Sequence, residues 1–260
     1  MMTVFDIVKI LDSHSPEKAA CDWDNVGLLV GDMDSTVDRI YVALDATDEV
    51  IAHAIESGAQ MIVTHHPMIF SGMKRVVTSD FTGRRVMDLI SHGIALYAMH
   101  TNFDIYGMAD LAARKLGLSD CEPLEVTGED ANGSIGIGRV GRLMESVRLK
   151  ALAEEVRDIF GISHVKVFGD LSERVRTVAI CPGSGKSDID EAIEKGADVY
   201  VTGDIDHHSG IDANMKGLAI IDAGHYGIEH IFIEYMKRYL EGQTTAEIFT
   251  EPFGEPFSIV

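Results

Sequence analysis

The sequence predicts an α/β protein made of two similar lobes, and three observations support this fold class. Strands that read as buried alternate with helices of about 10–12 residues, which is typical of a largely parallel sheet covered by helices. Residues 37–64 align without a gap with residues 175–202, at a constant offset of 138, and nine of 28 positions are identical. The run Gly93-Ile94-Ala95-Leu96 is echoed by Gly217-Leu218-Ala219-Ile220. We therefore expect an internal duplication, with lobes over residues 1–120 and 121–260.

The elements of the first lobe follow from hydrophobic spacing and from helix start and stop signals. Helical spacing predicts a helix over residues 3–13, and Ser15-Pro16-Glu17 is typical of the start of a short second helix. An apolar run predicts a strand between Gly27 and Gly31, and Thr47 predicts a helix cap. The remaining predictions are strands over 39–45, 60–64 and 94–99, and helices over 48–57, 82–92 and 107–116, each of these helices ended by a glycine.

The second lobe begins with a glycine-rich region and then repeats the pattern of the first. Gly136, Gly138 and Gly141 match the GxGxxG spacing, but no strand–turn–helix context surrounds them, so the match is too weak to predict a nucleotide loop. The predicted elements are a bulged strand over 135–143, an amphipathic helix over 146–160 ended by Gly161, strands over 164–168 and 217–222, and a helix over 229–240.

The composition excludes several classes of function. The 260 residues carry a net charge of −20, which argues against non-specific binding to nucleic acid. The three cysteines are far apart and suggest neither a disulfide framework nor a CxxC metal site. The N-terminus lacks the features of a signal peptide, and no apolar run reaches the ~18 residues that a membrane span needs. We expect a cytoplasmic protein whose partners include neither a membrane nor nucleic acid.

Potential metal ligands follow three of the predicted strands. His65 and His66 come after the strand over 60–64, Asp104 after that over 94–99, and His225 and Glu229 after that over 217–222. Imidazole and carboxylate groups suit Zn, Mn, Fe or Co, and the carboxyl ends of strands are where open α/β sheets build their sites. We therefore hypothesise a metal site that holds two divalent ions in a central cleft flanked by the lobes.

Each of these residues also has a structural alternative. Adjacent residues on a strand point to opposite faces, so His65 and His66 share one ion only if the chain bends near Pro67. Otherwise each histidine serves a different ion, or both are structural loop residues. For Asp104, the alternative to metal binding is a structural role as the cap or turn residue of the helix that follows. For Glu229, the alternative is a solvated carboxylate in the first turn of a helix, where the helix dipole favours a negative charge.

Proton transfer also has candidates in this sequence. Glu229 is either a bridging ligand or a general base, and His207 and His208 are candidate acid/base or substrate-facing residues, with a plain polar loop as their alternative. Asp204 precedes them in the second lobe's counterpart of the Thr64-His65-His66 turn and is another candidate for this loop.

The segment Trp23-Asp24-Asn25 has two interpretations. Asp24 and Asn25 either line the site and bond a substrate, or they form a turn in which Trp23 anchors the core. His100 and Asn102, which precede Asp104, are expected to orient the ligands or to bond a substrate.

Five motifs together resemble one family in order and spacing, the type 2 GTP cyclohydrolase I homologues, also called Nif-three-like proteins. The motifs are Trp23-Asp24-Asn25-Val26-Gly27-Leu28, Thr64-His65-His66-Pro67, His100-Thr101-Asn102-Phe103-Asp104, Val201-Thr202-Gly203-Asp204 and Gly224-His225-Tyr226-Gly227-Ile228-Glu229. The resemblance implies two α/β lobes flanking a dinuclear metal centre and a ring-shaped homohexamer. It also implies a ligand set, namely His65, His66, Asp104, His225 and Glu229. Many family members carry a further domain between the lobes, for which this chain is too short.

The leading functional hypothesis is a metal-dependent hydrolase that acts on a small molecule. Two ions would activate water for attack on a cyclic amidine, a purine-like ring or a phosphate ester. The alternative class is a non-enzymatic metal-binding chaperone or regulatory partner-binding protein. Asp206-His207-His208 also suggests a DHH-type phosphoesterase, but the aspartates expected at earlier strand ends are replaced by His65-His66. The net charge disfavours a DNA-associated regulator.

Overall fold

The computed structural model describes residues 2–260, which form two compact units. Unit one is the chain up to Phe103 together with Phe232–Gly254, and unit two is Asp104–Ile231 together with Glu255–Val260. The units therefore divide the chain differently from the predicted lobes over 1–120 and 121–260. They differ at two places: residues 104–120 belong to unit two, and a last helix and strand return to the first sheet.

The secondary structure alternates between strands and helices along the whole chain. In the first part the elements are β1 (Met2–Thr3), α1 (Val4–His14), a 3₁₀ turn (Glu17–Ala19), β2 (Gly27–Val30), β3 (Thr36–Val37), β4 (Arg39–Ala43), α2 (Asp48–Glu56), β5 (Met61–Thr64), α3 (Phe81–Ser91), β6 (Ala95–Ala98), α4 (Thr101–Phe103), a π-helix (Asp104–Met108) and α5 (Ala109–Lys115). In the second part they are β7 (Ser119–Asp130), β8 (Gly133–Arg148), α6 (Leu149–Phe160), β9 (Lys166–Phe168), β10 (Arg174–Ser184), a 3₁₀ turn (Lys186–Asp188), α7 (Ile189–Glu194), β11 (Val199–Gly203), α8 (His207–Met215), β12 (Ala219–Asp222), α9 (His225–Glu229), α10 (Ile231–Gln243) and β13 (Glu247–Thr250).

Unit one is built on a five-stranded sheet in the order β13-β4-β5-β6-β2. The first four strands are parallel, and β2 is antiparallel to β6. Ile62 and Leu96 pack in one core with Val50 of α2 and Leu89 of α3. The C-terminal strand β13 lies at the edge beside β4, and Tyr239 of α10 donates a hydrogen bond to the Ile10 carbonyl in α1.

Unit two is built on a six-stranded sheet in the order β7-β8-β10-β11-β12-β9. Only β10, β11 and β12 are parallel to one another, while β7, β8 and β9 pair antiparallel with their neighbours. The predicted α/β class is confirmed, and the largely parallel arrangement is realised in unit one more fully than in unit two. The β7–β8 hairpin was not predicted as a hairpin from the sequence.

The internal repeat is visible in the strand register. Ile40 of β4 pairs with Met61 of β5, and Val178 of β10 pairs with Val199 of β11, so both residues of each pair differ by the same 138 positions. The side chains repeat as well. Gln60 Oε1 accepts from the backbone N–H groups of residues 38 and 39, and Asp198 Oδ2 accepts from those of residues 176 and 177. This confirms the predicted duplication at the level of individual hydrogen bonds.

The GxGxxG match lies within strand β8, outside any turn before a helix. A Cβ on Gly136 would come within 1.8 Å of the Glu125 carbonyl oxygen in β7, so close approach of the two strands requires glycine there. The glycines of this motif therefore allow the close approach of the two strands in the bulged β7–β8 hairpin. Across residues 2–260, none of the helices has the length and hydropathy to cross a membrane.

Candidate metal centre

The two adjacent histidines of unit one follow strand β5 in a bend. The His66 N–H donates to the Leu44 carbonyl at 2.9 Å, and Thr64 Oγ1 donates to the His66 carbonyl at 2.9 Å. The rings of His65 and His66 lie 5.0 Å apart between centroids, and their ligand atoms lie within 4.8 Å of each other. The bend therefore brings two consecutive side chains to one place, which an extended strand would not do.

Both rings are held at Nδ1. His65 Nδ1 lies 2.7 Å from the Met99 carbonyl oxygen, and His66 Nδ1 lies 2.9 Å from Asp45 Oδ1. A carbonyl oxygen only accepts, so the neutral His65 ring donates from Nδ1 and carries its lone pair on Nε2. The carboxylate of Asp45 selects the same tautomer for His66. This arrangement prepares an imidazole to bind a metal ion through Nε2.

His100 completes a group of three histidines in unit one. Its ligand atom lies within 4.8 Å of those of His65 and His66, and its Nδ1 lies 2.9 Å from Asp24 Oδ1. His100 is expected from the sequence to orient the ligands or to bond a substrate, and its place in this group makes it a candidate ligand as well. The signal was present, because His100 follows β6 closely, as His65 follows β5.

Asp24 fixes the turn that carries His100. Its side chain is 0% exposed and accepts hydrogen bonds from the Thr101 N–H at 3.0 Å and from Thr101 Oγ1 at 2.5 Å. Burial alone would raise the pKa of Asp24, but the hydrogen bonds from His100 and Thr101 outweigh it and lower this pKa to about 2. Of the two interpretations of this segment, the structure therefore supports turn chemistry for Asp24. Trp23 is no core anchor, since it is 60% exposed.

In unit two, His225 and Glu229 lie on one face of α9. His225 Nε2 and Glu229 Oε2 are 3.0 Å apart, as expected for residues spaced i, i+4 on a helix. His225 Nδ1 lies 2.8 Å from Asp204 Oδ2. Glu229 is 3% exposed, so the interpretation as a solvated acid of a first turn is wrong.

Asp104 opens a π-helical turn in unit two. This turn, Asp104–Met108, follows α4 directly, so Asp104 lies inside a helical segment and is not its cap. Its carboxylate has an oxygen within 4.8 Å of an oxygen of Glu229. Such π-turns inside helical segments are frequent at functional sites.

Glycine and a buried aspartate shape the surroundings of this face. Gly183 has a φ of +84°, and a Cβ there would come within 2.3 Å of Glu229 Oε1. Asp222 is 2% exposed, accepts from the N–H groups of Ile205 and Gly224 at 3.1 and 3.0 Å, and pairs with Lys166 at 2.6 Å. Asp222 thus fixes the two loops that carry Asp204 and His225. Neither Gly183 nor Asp222 has a local sequence signal that predicts these contacts.

His207 and His208 lie in the first turn of α8 and are exposed. Asp206 caps this helix by accepting from the N–H groups of His208 and Ser209. Neither histidine belongs to any group among residues 2–260 that could hold a metal ion. Their proposed acid/base role stays a prediction.

The donors fit a divalent transition metal in both units. Unit one supplies three imidazoles that are held at Nδ1, and unit two supplies an imidazole and two carboxylates, of which Glu229 is buried. These are the ligand types that Zn, Mn, Fe and Co prefer. The structure thus contains side-chain clusters that could hold a metal ion.

Comparisons with known proteins identify the family to which the chain belongs. The family model described as Duf34/NIF3 (NGG1p interacting factor 3) matches residues 2–252. A curated relative from Clostridium acetobutylicum, named GTP cyclohydrolase 1 type 2 homolog, is 36% identical over 93% of this chain and 90% of its own length. A relative of the same name from Streptococcus pneumoniae is 36% identical over 92% and 90%. The crystal structure of a Bacillus cereus protein related to NIF3 covers 99% of both chains with a TM-score of 0.92 at 27% identity. The chain therefore belongs to the Duf34/NIF3 family.

Proposed function

We propose that this protein is a metal-dependent hydrolase that acts on a small molecule and holds two divalent ions. The proposed ligands are His65, His66, Asp104, His225 and Glu229. The observation that carries the proposal is that fixed donors converge: His65 and His66, each held at Nδ1 by an oxygen, bring their ligand atoms within 4.8 Å of each other. His225, which is also held at Nδ1, has its Nε2 3.0 Å from Glu229 Oε2, and a ring support of this kind is typical of metal-binding histidines.

The side chains have separate roles in this proposal. When bound, the ions would supply Lewis acidity, which polarises a substrate oxygen and makes water a stronger acid. Asp204 and Asp45 hold the rings of His225 and His66. Glu229 is buried beside His225 Nε2 and either binds the ions or accepts a proton from water. His207 and His208 remain the candidate proton carriers on the exposed side.

The substrate class proposed is a small cyclic amidine, a purine-like ring or a phosphate ester. The curated relatives named GTP cyclohydrolase 1 type 2 homolog support a heteroaromatic substrate. The net charge of −20 makes a nucleic acid a poor partner.

The test is a hydrolase screen with purified protein supplied with Zn, Mn, Fe or Co. We expect turnover with at least one ion, and a loss of at least about 100-fold in Glu229→Gln. His92→Ala is the matched control, because His92 is an exposed histidine of unit one outside the metal-capable groups. Turnover that survives in both His65→Ala and Glu229→Gln would contradict the proposal.

A non-enzymatic role is the second candidate, favoured by one observation. The family description names an interacting factor, which suggests a metal-binding chaperone or a regulatory partner-binding protein. Such a protein would bind metal ions at the same residues and exchange them readily, with no turnover in the screen.

We also propose that the chain forms a homo-oligomer, specifically the ring-shaped hexamer that the family resemblance implies. Light scattering coupled to size-exclusion chromatography tests this. A mass of six times 28.4 kDa supports the hexamer, and a monomer at micromolar concentration contradicts it.

A further inference from the structure

Two large aromatic side chains are exposed beside His100 in unit one. Trp23 is 60% exposed and Phe70 is 52% exposed. Their ring centroids lie 6.0 Å apart, and the Trp23 ring meets the His100 ring edge-on at 6.1 Å. An apolar surface therefore adjoins the histidine group directly.

Phe70 belongs to the irregular segment 65–80, which joins β5 to α3 and begins with His65 and His66. Asn25 Nδ2 donates to the Ile69 carbonyl at 2.5 Å, so this segment is tied to the chain beside Trp23. Phe70 lines a hollow of about 330 Å³ together with Lys74 and Arg75. That volume lies within the range of small-molecule sites.

Two of the residues that line this hollow are cations, and its one acidic residue, Asp80, caps α3 by accepting from the Gly83 N–H at 2.8 Å. Lys74 and Arg75 are exposed, and neither forms an ion pair with any of residues 2–260. By contrast, Arg84 and Arg85 of α3 both pair with Asp48. In a chain with a net charge of −20, two adjacent cations without acidic partners are complementary to an anionic ligand.

We infer that a planar aromatic ring of the substrate packs against Trp23 and Phe70, whose planes are tilted by 48°, so that it stacks on one ring and meets the other at an angle, and that Lys74 and Arg75 bind its negatively charged group. Stacking on aromatic side chains suits any flat ring, and guanidinium and ammonium groups suit phosphate or carboxylate. The inference rests on the proposed function for its purpose and narrows the substrate class to planar aromatic anions.

Trp23 is the only tryptophan in the chain, so its fluorescence reports on this surface alone. Three probes separate the two contributions: guanosine 5′-monophosphate has ring and charge, guanosine has the ring, and ribose 5-phosphate has the charge. We expect the monophosphate to quench Trp23 fluorescence saturably and to bind at least about tenfold more tightly than guanosine. Ribose 5-phosphate should leave the fluorescence unchanged.

Three variants assign the residues. Phe70→Ala should weaken binding of both guanosine compounds by about fivefold or more, since a stacking partner is lost. Lys74→Ala combined with Arg75→Ala should weaken only the monophosphate, by about tenfold. Arg84→Ala removes a cation of α3 that is already paired with Asp48, and should change neither affinity. Calorimetry measures each affinity, and the metal content of each sample is measured beside it.

Two results would overturn the inference. In the first, guanosine 5′-monophosphate does not quench Trp23 fluorescence, or it binds the Lys74/Arg75 double variant as tightly as the wild type. In the second, acrylamide does not quench Trp23 fluorescence in the oligomer without ligand, which would show that a second copy covers Trp23. Metal content separates this inference from the proposed function: normal metal content with unchanged affinities rejects only the stacking surface, and binding as expected without metal rejects only the metal-dependent hydrolase.

Discussion

Single acceptors decide where the candidate ligands point. His100 depends on Asp24, whose carboxylate also accepts two hydrogen bonds from Thr101. Asp24→Ala leaves buried donors unpaired, so we expect the free energy of unfolding to fall by about 1–3 kcal/mol in urea titrations. Asp22→Ala, at an exposed neighbouring position, is the control and should have little effect. Equal stability of both variants would contradict the role of Asp24.

Gly183 is required by its close approach to Glu229. Gly183→Ala would place a Cβ 2.3 Å from Glu229 Oε1 at a φ of +84°, so the carboxylate must move. We expect a metal affinity weaker by roughly 10–100-fold in chelator competition, the range seen when a ligand's support is disturbed. Gly242→Ala is the matched control, because nothing lies within 4 Å of its added Cβ and it lies in a helix. If both variants bind metal like the wild type, Glu229 is not a ligand.

Asp222 acts on the site through Asp204 and His225, whose loops it holds by the N–H groups of Ile205 and Gly224. Asp222→Asn keeps the size of the side chain but loses the charge that pairs with Lys166, so we expect roughly 10-fold weaker metal binding. The control is Asp212→Asn at an exposed position, which should weaken metal binding less. Lys166→Met should reproduce only part of the loss, since the two backbone bonds to Asp222 remain. Metal affinity that is equal in all three variants would show that Asp222 has only a structural role.

At the scale of elements, the most distant pairing in sequence is that of β13 with β4. Ile248 of β13 is 8% exposed and packs at the edge of the first sheet. We expect Ile248→Ala to lower the free energy of unfolding by about 2 kcal/mol, near the lower end for a buried isoleucine because the strand lies at an edge. Glu247→Ala, next to it and exposed, should cost much less. A similar loss in both variants would mean that β13 contributes through charge and not through burial.

The sequence predicts the repeated βαβ elements well because their signals are local. Thr47 accepts from the Val50 N–H at the start of α2, and helices end at Gly58, Gly93 and Gly161 with positive φ angles, as the cap patterns indicate. At the offset of 138, β10 and β11 also pair in the same register as β4 and β5. These elements carry their own start, stop and burial patterns.

Other elements depend on partners far along the chain. Strand β7 includes Pro123 and five acidic residues, so its sequence does not read as a strand, and it forms because β8 pairs with it. Strand β13 has four residues whose partner lies about 200 positions earlier. The same limit applies to the site. His65 and Glu229 are recognisable as ligand types, whereas the supporting roles of Asp222 and Gly183 arise only from folded contacts.

At the scale of the whole molecule, the two units share a repeated sequence and strand register, but they have different side chains at corresponding positions. His65 and His66 of unit one correspond, at the offset of 138, to Gly203 and Asp204 of unit two. One copy therefore offers imidazoles, and the other uses Asp204 to hold His225. The duplication explains how one repeated fold supplies two kinds of donor.

Metal content per chain tests the central claim most directly. The protein is purified without a His-tag or added metal, and elemental mass spectrometry is applied to the wild type, His65→Ala, Glu229→Ala and the control His92→Ala. We expect about two equivalents of a divalent transition metal in the wild type and in the control, and a clear loss in the other two variants while they remain folded. A wild type that stays metal-free after incubation with Zn, Mn, Fe and Co, or folded variants that keep full metal content, would contradict the proposed metal centre.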